Sequence, residues 1–243
     1  MHGLLGSSGN WHSLSRNVFG RNWATYTLDL RNHGGSPHAS EMTYAAMARD
    51  VLEFAQDLHE GNVHVMGHSM GGKVAMELAI SYPHIVDRLI VVDVAPRAFD
   101  DLRPKIVKTL RSLDLSLHSD RDSIDEALSK DVESAAVRQM LMKNLRHVDG
   151  RYVWLPNLPA LEQSYENIAG PITAKGIFEG DTLFIRGEQS DYIRQTDLPH
   201  IDGRFPASEI VTINGAGHWV HADAPDEFAR TVSEFLASPV PAR

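Results

Sequence analysis

A chain of 243 residues, 42% hydrophobic and 23% charged, is long enough for one large domain or for one domain carrying an insertion. Its net charge of -9 argues against a nucleic-acid partner, whose phosphates need clustered Lys and Arg, and gives no support to docking on an anionic membrane surface. There is no cysteine, so disulfides, thiolate metal sites and cysteine nucleophiles are excluded; with no apolar run near the ~20 residues of a membrane span and no signal-peptide pattern, a soluble cytoplasmic protein is expected.

The chain opens on the glycine-spaced run His2-Gly3-Leu4-Leu5-Gly6. A first strand is predicted over Trp23–Asp29, followed by the turn Asp29-Leu30-Arg31-Asn32-His33-Gly34-Gly35-Ser36. Over Thr43–His59, Tyr44, Met47, Val51, Phe54 and Leu58 recur at helical three-and-four spacing. Val63–Gly67 then reads as a buried strand. It runs into the sharp turn Gly67-His68-Ser69-Met70-Gly71 and a helix from Lys73 onward. A strand over Arg88–Val94 comes next. From about Pro96 to Gly180 no strong strand signal is present, and helical patterns cover Arg103–Leu113, Ser123–Lys130 and Ser134–His147. So long a crossover predicts a helical cap insertion, residues 96–177, between core segments 1–95 and 178–243. Strands over Thr182–Arg186 and Glu209–Ile213 and a helix from about Pro225, with Phe228, Val232 and Phe235 on one face, complete the alternation. Strand and helix in turn predict an α/β fold with a mostly parallel sheet covered by helices on both sides.

The Gly-x-Ser-x-Gly turn carries the chemistry. A serine there is held in a strained conformation at a helix N-terminus, which favours developing negative charge, so Ser69 is the candidate nucleophile. Serine needs a positioned base. Of thirteen histidines, His218 is favoured, because it sits just past the last strand in Asn214-Gly215-Ala216-Gly217-His218-Trp219, at the sheet edge where open α/β folds bind ligands. His68 adjoins the nucleophile but must point away from it, and His33 reads as a structural turn residue. His221 could reach the surface as readily as the site.

The acid that holds the imidazole is a choice. In Gly187-Glu188-Gln189-Ser190-Asp191-Tyr192 a serine occupies the place where an acid is often found, and Asp191 is one residue late. Asp93, within Val91-Val92-Asp93-Val94, is costly to bury without a partner. Asp93 is favoured, with Ser190 as an auxiliary hydrogen-bonding residue and Asp191 as the alternative. The backbone N–H groups of Leu4 and Met70 are the candidate oxyanion donors.

These runs, with Ala136-Val137-Arg138-Gln139 and Val148-Asp149-Gly150-Arg151-Tyr152-Val153-Trp154, resemble the α/β-hydrolase superfamily over nearly the whole chain. Within it the resemblance is to the YbfF-type bacterial esterases and α/β-hydrolase-domain protein eleven. It implies a serine carboxylesterase that hydrolyses short- to medium-chain esters through an acyl-enzyme, with a small-molecule ester as partner and no cofactor or metal. It also implies an acid after the strand that follows the elbow helix, which supports Asp93, and an assisting serine at Ser190. The fold usually has about three strands ahead of the oxyanion loop, whereas here that loop begins at His2, so N-terminal strands are expected to be missing and a homo-oligomer stays open. The same triad would serve an acyltransferase or thioesterase, and a weakly catalytic receptor or scaffold on this fold is the other alternative. Tyr152, Trp154, Leu155, Leu158 and Leu161 offer apolar surface either for an acyl pocket or for packing the cap.

Overall fold

The computed structural model describes residues 1–59, 61–99 and 104–239. Its strands are β1 (Val63–His68), β2 (Val86–Val92), β3 (Leu145–Val148), β4 (Arg151–Trp154), β5 (Thr182–Gly187) and β6 (Ser208–Ile213). Four of them form a wholly parallel sheet in the order β1-β2-β5-β6. The registers pair His68 with Val92, Val92 with Ile185, and Gly187 with Ile213. All four strands therefore end at one edge, and the residues that follow them, Ser69, Asp93, Ser190 and the 214–219 loop, emerge side by side.

Side chains alternate across this sheet as the two-residue strand period requires. Leu89, Val91 and Phe184 enter the core on one face, with Met47, Val51, Val74 and Leu78. Ile90, Val92, Leu183 and Ile185 enter the other, with Phe228, Val232 and Phe235 of the helix Pro225–Ala237. The helix Tyr44–Asp57 is capped by Thr43, whose side chain accepts the Ala46 N–H. The helix Met70–Ser81 is buried on every side, because it is wedged between the sheet and Tyr44–Asp57.

The predicted strand Trp23–Asp29 is not a strand. Residues 24–30 belong to no helix or strand, and Ala24–Leu28 and Val63–Met66 line a common cavity of about 300 Å3. Apolar alternation favours extended backbone, but a strand exists only where a neighbour accepts its N–H groups. Met1 does engage β1: its amine donates to Met66 O at 2.7 Å and its carbonyl accepts His68 N–H at 3.1 Å.

The long crossover holds the helices Lys105–Ser112, Arg121–Ser129 and Ala135–Met142. Arg103, the predicted start of the first, lies outside the described residues. The helix predicted over Ser134–His147 stops at Met142 and gives way to the antiparallel hairpin β3–β4. Asp149 and Gly150 turn that hairpin with φ of 48° and 77°, the left-handed pair that a two-residue Asp-Gly loop supplies.

The crossover returns to the core through the helices Leu158–Gln163 and Tyr165–Ala169. The helix behind Ser69 grips this return. Lys73 Nζ donates to Gly170 O at 2.5 Å, and the Glu77 carboxylate accepts Thr173 N–H at 2.7 Å and Ala174 N–H at 2.9 Å. Burial lowers the Lys73 pKa to about 7, with nearby Arg97 adding to the effect.

Candidate active site

Ser69 sits between β1 and its helix at φ 52°, ψ -118°, a left-handed conformation that a side chain rarely adopts. Its neighbours are small because the turn is tight. A Cβ on Gly67 would lie 2.0 Å from Gly71 O, and one on Gly71 would lie 2.5 Å from His2 O. Ser69 N–H donates to Val92 O at 3.0 Å, which ties the turn to the end of β2.

Asp93 follows β2, also at positive φ (50°), and is fully buried. Its Oδ1 accepts Gly187 N–H at 3.1 Å. Its Oδ2 lies 2.7 Å from His218 Nδ1 and also accepts the Ser190 hydroxyl. These partners of the carboxylate come from the end of β5 and from the loops beyond β5 and β6. Asp191 is exposed, and its carbonyl rather than its carboxylate meets Arg97. Of the two candidate acids, only Asp93 touches His218.

Ser69 and His218 line one cavity of about 470 Å3, with Val107, Val137, Met140 and Leu141 of the crossover among its walls. No hydrogen bond joins the two among the described residues; a catalytic bond of this kind often tightens only when substrate binds. A second cavity of about 330 Å3 meets the first at Leu4, Ser69, Tyr165 and Tyr192, and carries Arg97 and Arg194. Tyr152, Trp154, Leu155, Leu158 and Leu161 do not line the larger cavity; Leu158 and Leu161 are buried in the core.

The Leu4 loop is held by two histidines. Leu30 N–H donates to His2 Nε2 at 3.0 Å, and Leu5 N–H donates to His33 Nε2 at 3.1 Å. An acceptor at Nε2 places the proton on Nδ1, which faces Gly3 O at 2.8 Å in His2 and Arg31 O at 3.0 Å in His33. Both rings must be neutral to do this. Burial lowers the His2 pKa to about 3, and lowers that of His33 to about 4. Leu4 N–H donates to no described residue, and Met70 N–H, at the first turn of its helix, is likewise unbonded.

His68 is buried, with its pKa well below the ordinary value, first through burial and then through His218 and His221. Its Nε2 lies 2.8 Å from His218 O. His221, open to either side in sequence, is buried against Trp11, with ring centroids 4.6 Å apart. Sequence reasoning missed Tyr192, whose ring stacks on His218 at 3.7 Å and 18°. No local pattern marks it, since the contact forms only where two loops converge.

Comparison with known proteins gives the family. The α/β-hydrolase fold family matches residues 1–225. The chain belongs to that family. It is 37% identical to sn-1-specific diacylglycerol lipase ABHD11 of Danio rerio, over 97% of this chain and 77% of the relative. It is 32% identical to esterase YbfF of Escherichia coli, over 97% of this chain and 91% of the relative. A solved marine microorganism esterase superposes with a TM-score of 0.93 at 39% identity, covering 97% of this chain and 93% of that one. This α/β-hydrolase is thus a YbfF- and ABHD11-like serine hydrolase of the esterase/lipase type. Among its described residues, no helix is long and apolar enough to cross a membrane.

Proposed function

We propose that this α/β-hydrolase is a serine carboxylesterase acting on small esters of short to medium acyl chain through an acyl-enzyme. The observation that carries the reading is the Asp93–His218 contact at 2.7 Å beside a strained Ser69 on the same cavity. Ser69 Oγ attacks the ester carbonyl carbon while His218 Nε2 takes its proton. Asp93 stays ionised, fixes the Nδ1–H tautomer and stabilises the imidazolium. The tetrahedral oxyanion is received by Leu4 N–H and Met70 N–H. Collapse breaks the bond to the alkoxy oxygen, which leaves as the alcohol with the proton from His218. Water then attacks the acyl-enzyme, giving its proton to His218, and Ser69 recovers a proton as the acid departs.

Residues 96–177 serve as the cap in this reading, because Val107, Val137, Met140 and Leu141 form the apolar wall above Ser69. A cavity of about 470 Å3 suits a small ester rather than a long, fully enclosed chain. The cysteine-free composition supports a cytoplasmic setting.

The test is hydrolysis of p-nitrophenyl esters from acetate to palmitate, together with a diacylglycerol, the substrate in the zebrafish relative's name. Activity should peak at short to medium chains and vanish in Ser69→Ala. Normal turnover by Ser69→Ala would sink the mechanism, and a peak at the longest chains or on the diacylglycerol would sink the substrate class.

A further inference from the structure

His218 lies among several rings. His68 approaches it at 4.7 Å, tilted by 44°, and His68 in turn meets His221 at 4.9 Å. Tyr192 lies nearly parallel to the imidazole at 3.7 Å, the closest ring pair among the described residues. Tyr192 is itself braced. Phe99 meets it edge-on at 4.8 Å and 66°, and the Lys73 ammonium sits 4.1 Å from the centre of the Phe99 ring. The Tyr192 backbone is fixed too, since its N–H donates to Ser190 Oγ at 3.3 Å and its carbonyl accepts Ala95 N–H at 3.2 Å. Ser190 also donates to Asp93, so one short loop supports both the carboxylate and the stacked ring.

We propose that Tyr192 is a positioning residue for the reaction, holding the His218 imidazole by its ring face and stabilising the imidazolium that forms during proton transfer. The proposal rests on the triad reading above. Asp93 approaches the imidazole at its Nδ1 edge and cannot fix rotation about that hydrogen bond. A parallel ring at 3.7 Å supplies the missing constraint. The face of an aromatic ring carries partial negative charge, so it attracts the cationic imidazole more than the neutral one. That preference is gained as the proton moves from Ser69 to His218, and it therefore favours the transition state over the ground state.

The experiment compares Tyr192→Phe, Tyr192→Leu and Tyr192→3,4,5-trifluorophenylalanine. Each is assayed for kcat and KM on p-nitrophenyl butyrate, for the rate of labelling by a fluorophosphonate, and for Tm. Phe keeps the ring face and should stay within about twofold of the parent in kcat. The fluorinated ring keeps the shape but loses the negative face, and should fall severalfold below Phe in both kcat and labelling rate. Leu, with no ring, should lose about tenfold in kcat with a much smaller change in KM.

Equal rates for the phenylalanine and trifluorophenylalanine enzymes would overturn the electrostatic role, and parent-like kcat in Tyr192→Leu would overturn the positioning role. If the Leu variant fails to fold, the fluorinated pair decides alone, since the two differ chiefly in the charge on the ring face. Ser69→Ala run in parallel separates the failures. Persistent hydrolysis there removes the triad itself, whereas a dead Ser69→Ala beside a flat Tyr192 series removes only this proposal.

Discussion

Asp93 and His218 lie 125 residues apart in the chain, and their side chains meet at 2.7 Å. The carboxylate is fully buried and the imidazole is not, so solvent reaches the pair at His218. Asp93→Asn would keep the volume but offer an amide that can favour the wrong tautomer of His218. A loss of about 10⁴ in kcat is expected, as for an acid that fixes a catalytic imidazole. Asp191→Asn, whose carboxylate does not touch His218, should remain within a few fold. Steady-state hydrolysis of one p-nitrophenyl ester by the two variants checks this, and equal mild effects would refute the assignment.

Ser190 donates its hydroxyl to the same Asp93 oxygen that faces His218. Ser190→Ala leaves the carboxylate with the Gly187 N–H and the imidazole, so the triad survives with a weaker anchor. A single hydrogen bond to a charged group is worth roughly 1.5–3 kcal/mol, which sets the expected fall in kcat at about ten- to a hundredfold. A Ser190→Ala enzyme as slow as Asp93→Asn would make the serine a full member of the machinery rather than an assistant.

His2, His33 and His221 make the fold sensitive to acid. Burial lowers their pKa values from 6.5 to about 3, 4 and 4 respectively. Below pH 6.5 the unfolded chain binds protons that the native state refuses, so stability falls as pH drops and levels off only below about pH 3–4. For His2 and His33 the reason is geometric as well, because a proton on Nε2 would face the N–H it now accepts. Each histidine costs about 1.4 kcal/mol for every pH unit over which only the unfolded chain holds its proton. Urea unfolding at pH 7, 6, 5 and 4.5 should therefore show a decline of about 2–3 kcal/mol for each histidine, on the order of 7 kcal/mol for the three together. A flat profile over that range would mean that these rings are protonated without cost.

The elbow, the parallel strands after it and the helices beside it were legible because each is set by local rules: Gly beside a strained Ser, apolar alternation, three-and-four spacing. The Trp23–Asp29 error has a different origin, since strand formation depends on a partner that side chains do not encode. The β3–β4 hairpin did leave a local mark. Asp149-Gly150 is the strongest short turn signal in the crossover, but the helical pattern read over Ser134–His147 runs up to it and masks the strand before it. In the site, Asp93 stood out as a charge in an apolar run, because burying it demands a partner. Tyr192 left no such mark. A ring stack costs nothing that a sequence must advertise.

His33→Leu tests whether the Leu4 loop is held by the histidine. The substitution leaves Leu5 N–H buried without an acceptor, at a cost of roughly 1–3 kcal/mol in stability. Leu5 follows Leu4 directly, so kcat should fall while KM changes less. His33→Asn, which can still offer a carbonyl oxygen, should recover part of both. Chemical unfolding and steady-state kinetics on the pair give the answer, and an unchanged kcat in a folded His33→Leu enzyme would detach the histidine from the loop's function.

Lys73 is a buried ionisable group whose titration can be followed on its own. Its pKa, lowered from 10.5 to about 7 by burial, means that the unfolded chain takes up a proton at a higher pH than the native one does. Stability contributed through this group therefore falls as pH drops from about 10 to 7, and is constant below that window. Lys73→Met fills the same space without a titrating amine. It removes the bond to Gly170 O and the ammonium above Phe99, but also the desolvation of the amine, so the net change at pH 7 should be within about 2 kcal/mol. The informative quantity is the difference between parent and variant across pH 7–10, in which all other titrating groups cancel. The parent should gain stability relative to Lys73→Met as pH rises, and parallel curves would show that Lys73 keeps its ordinary pKa in the folded protein.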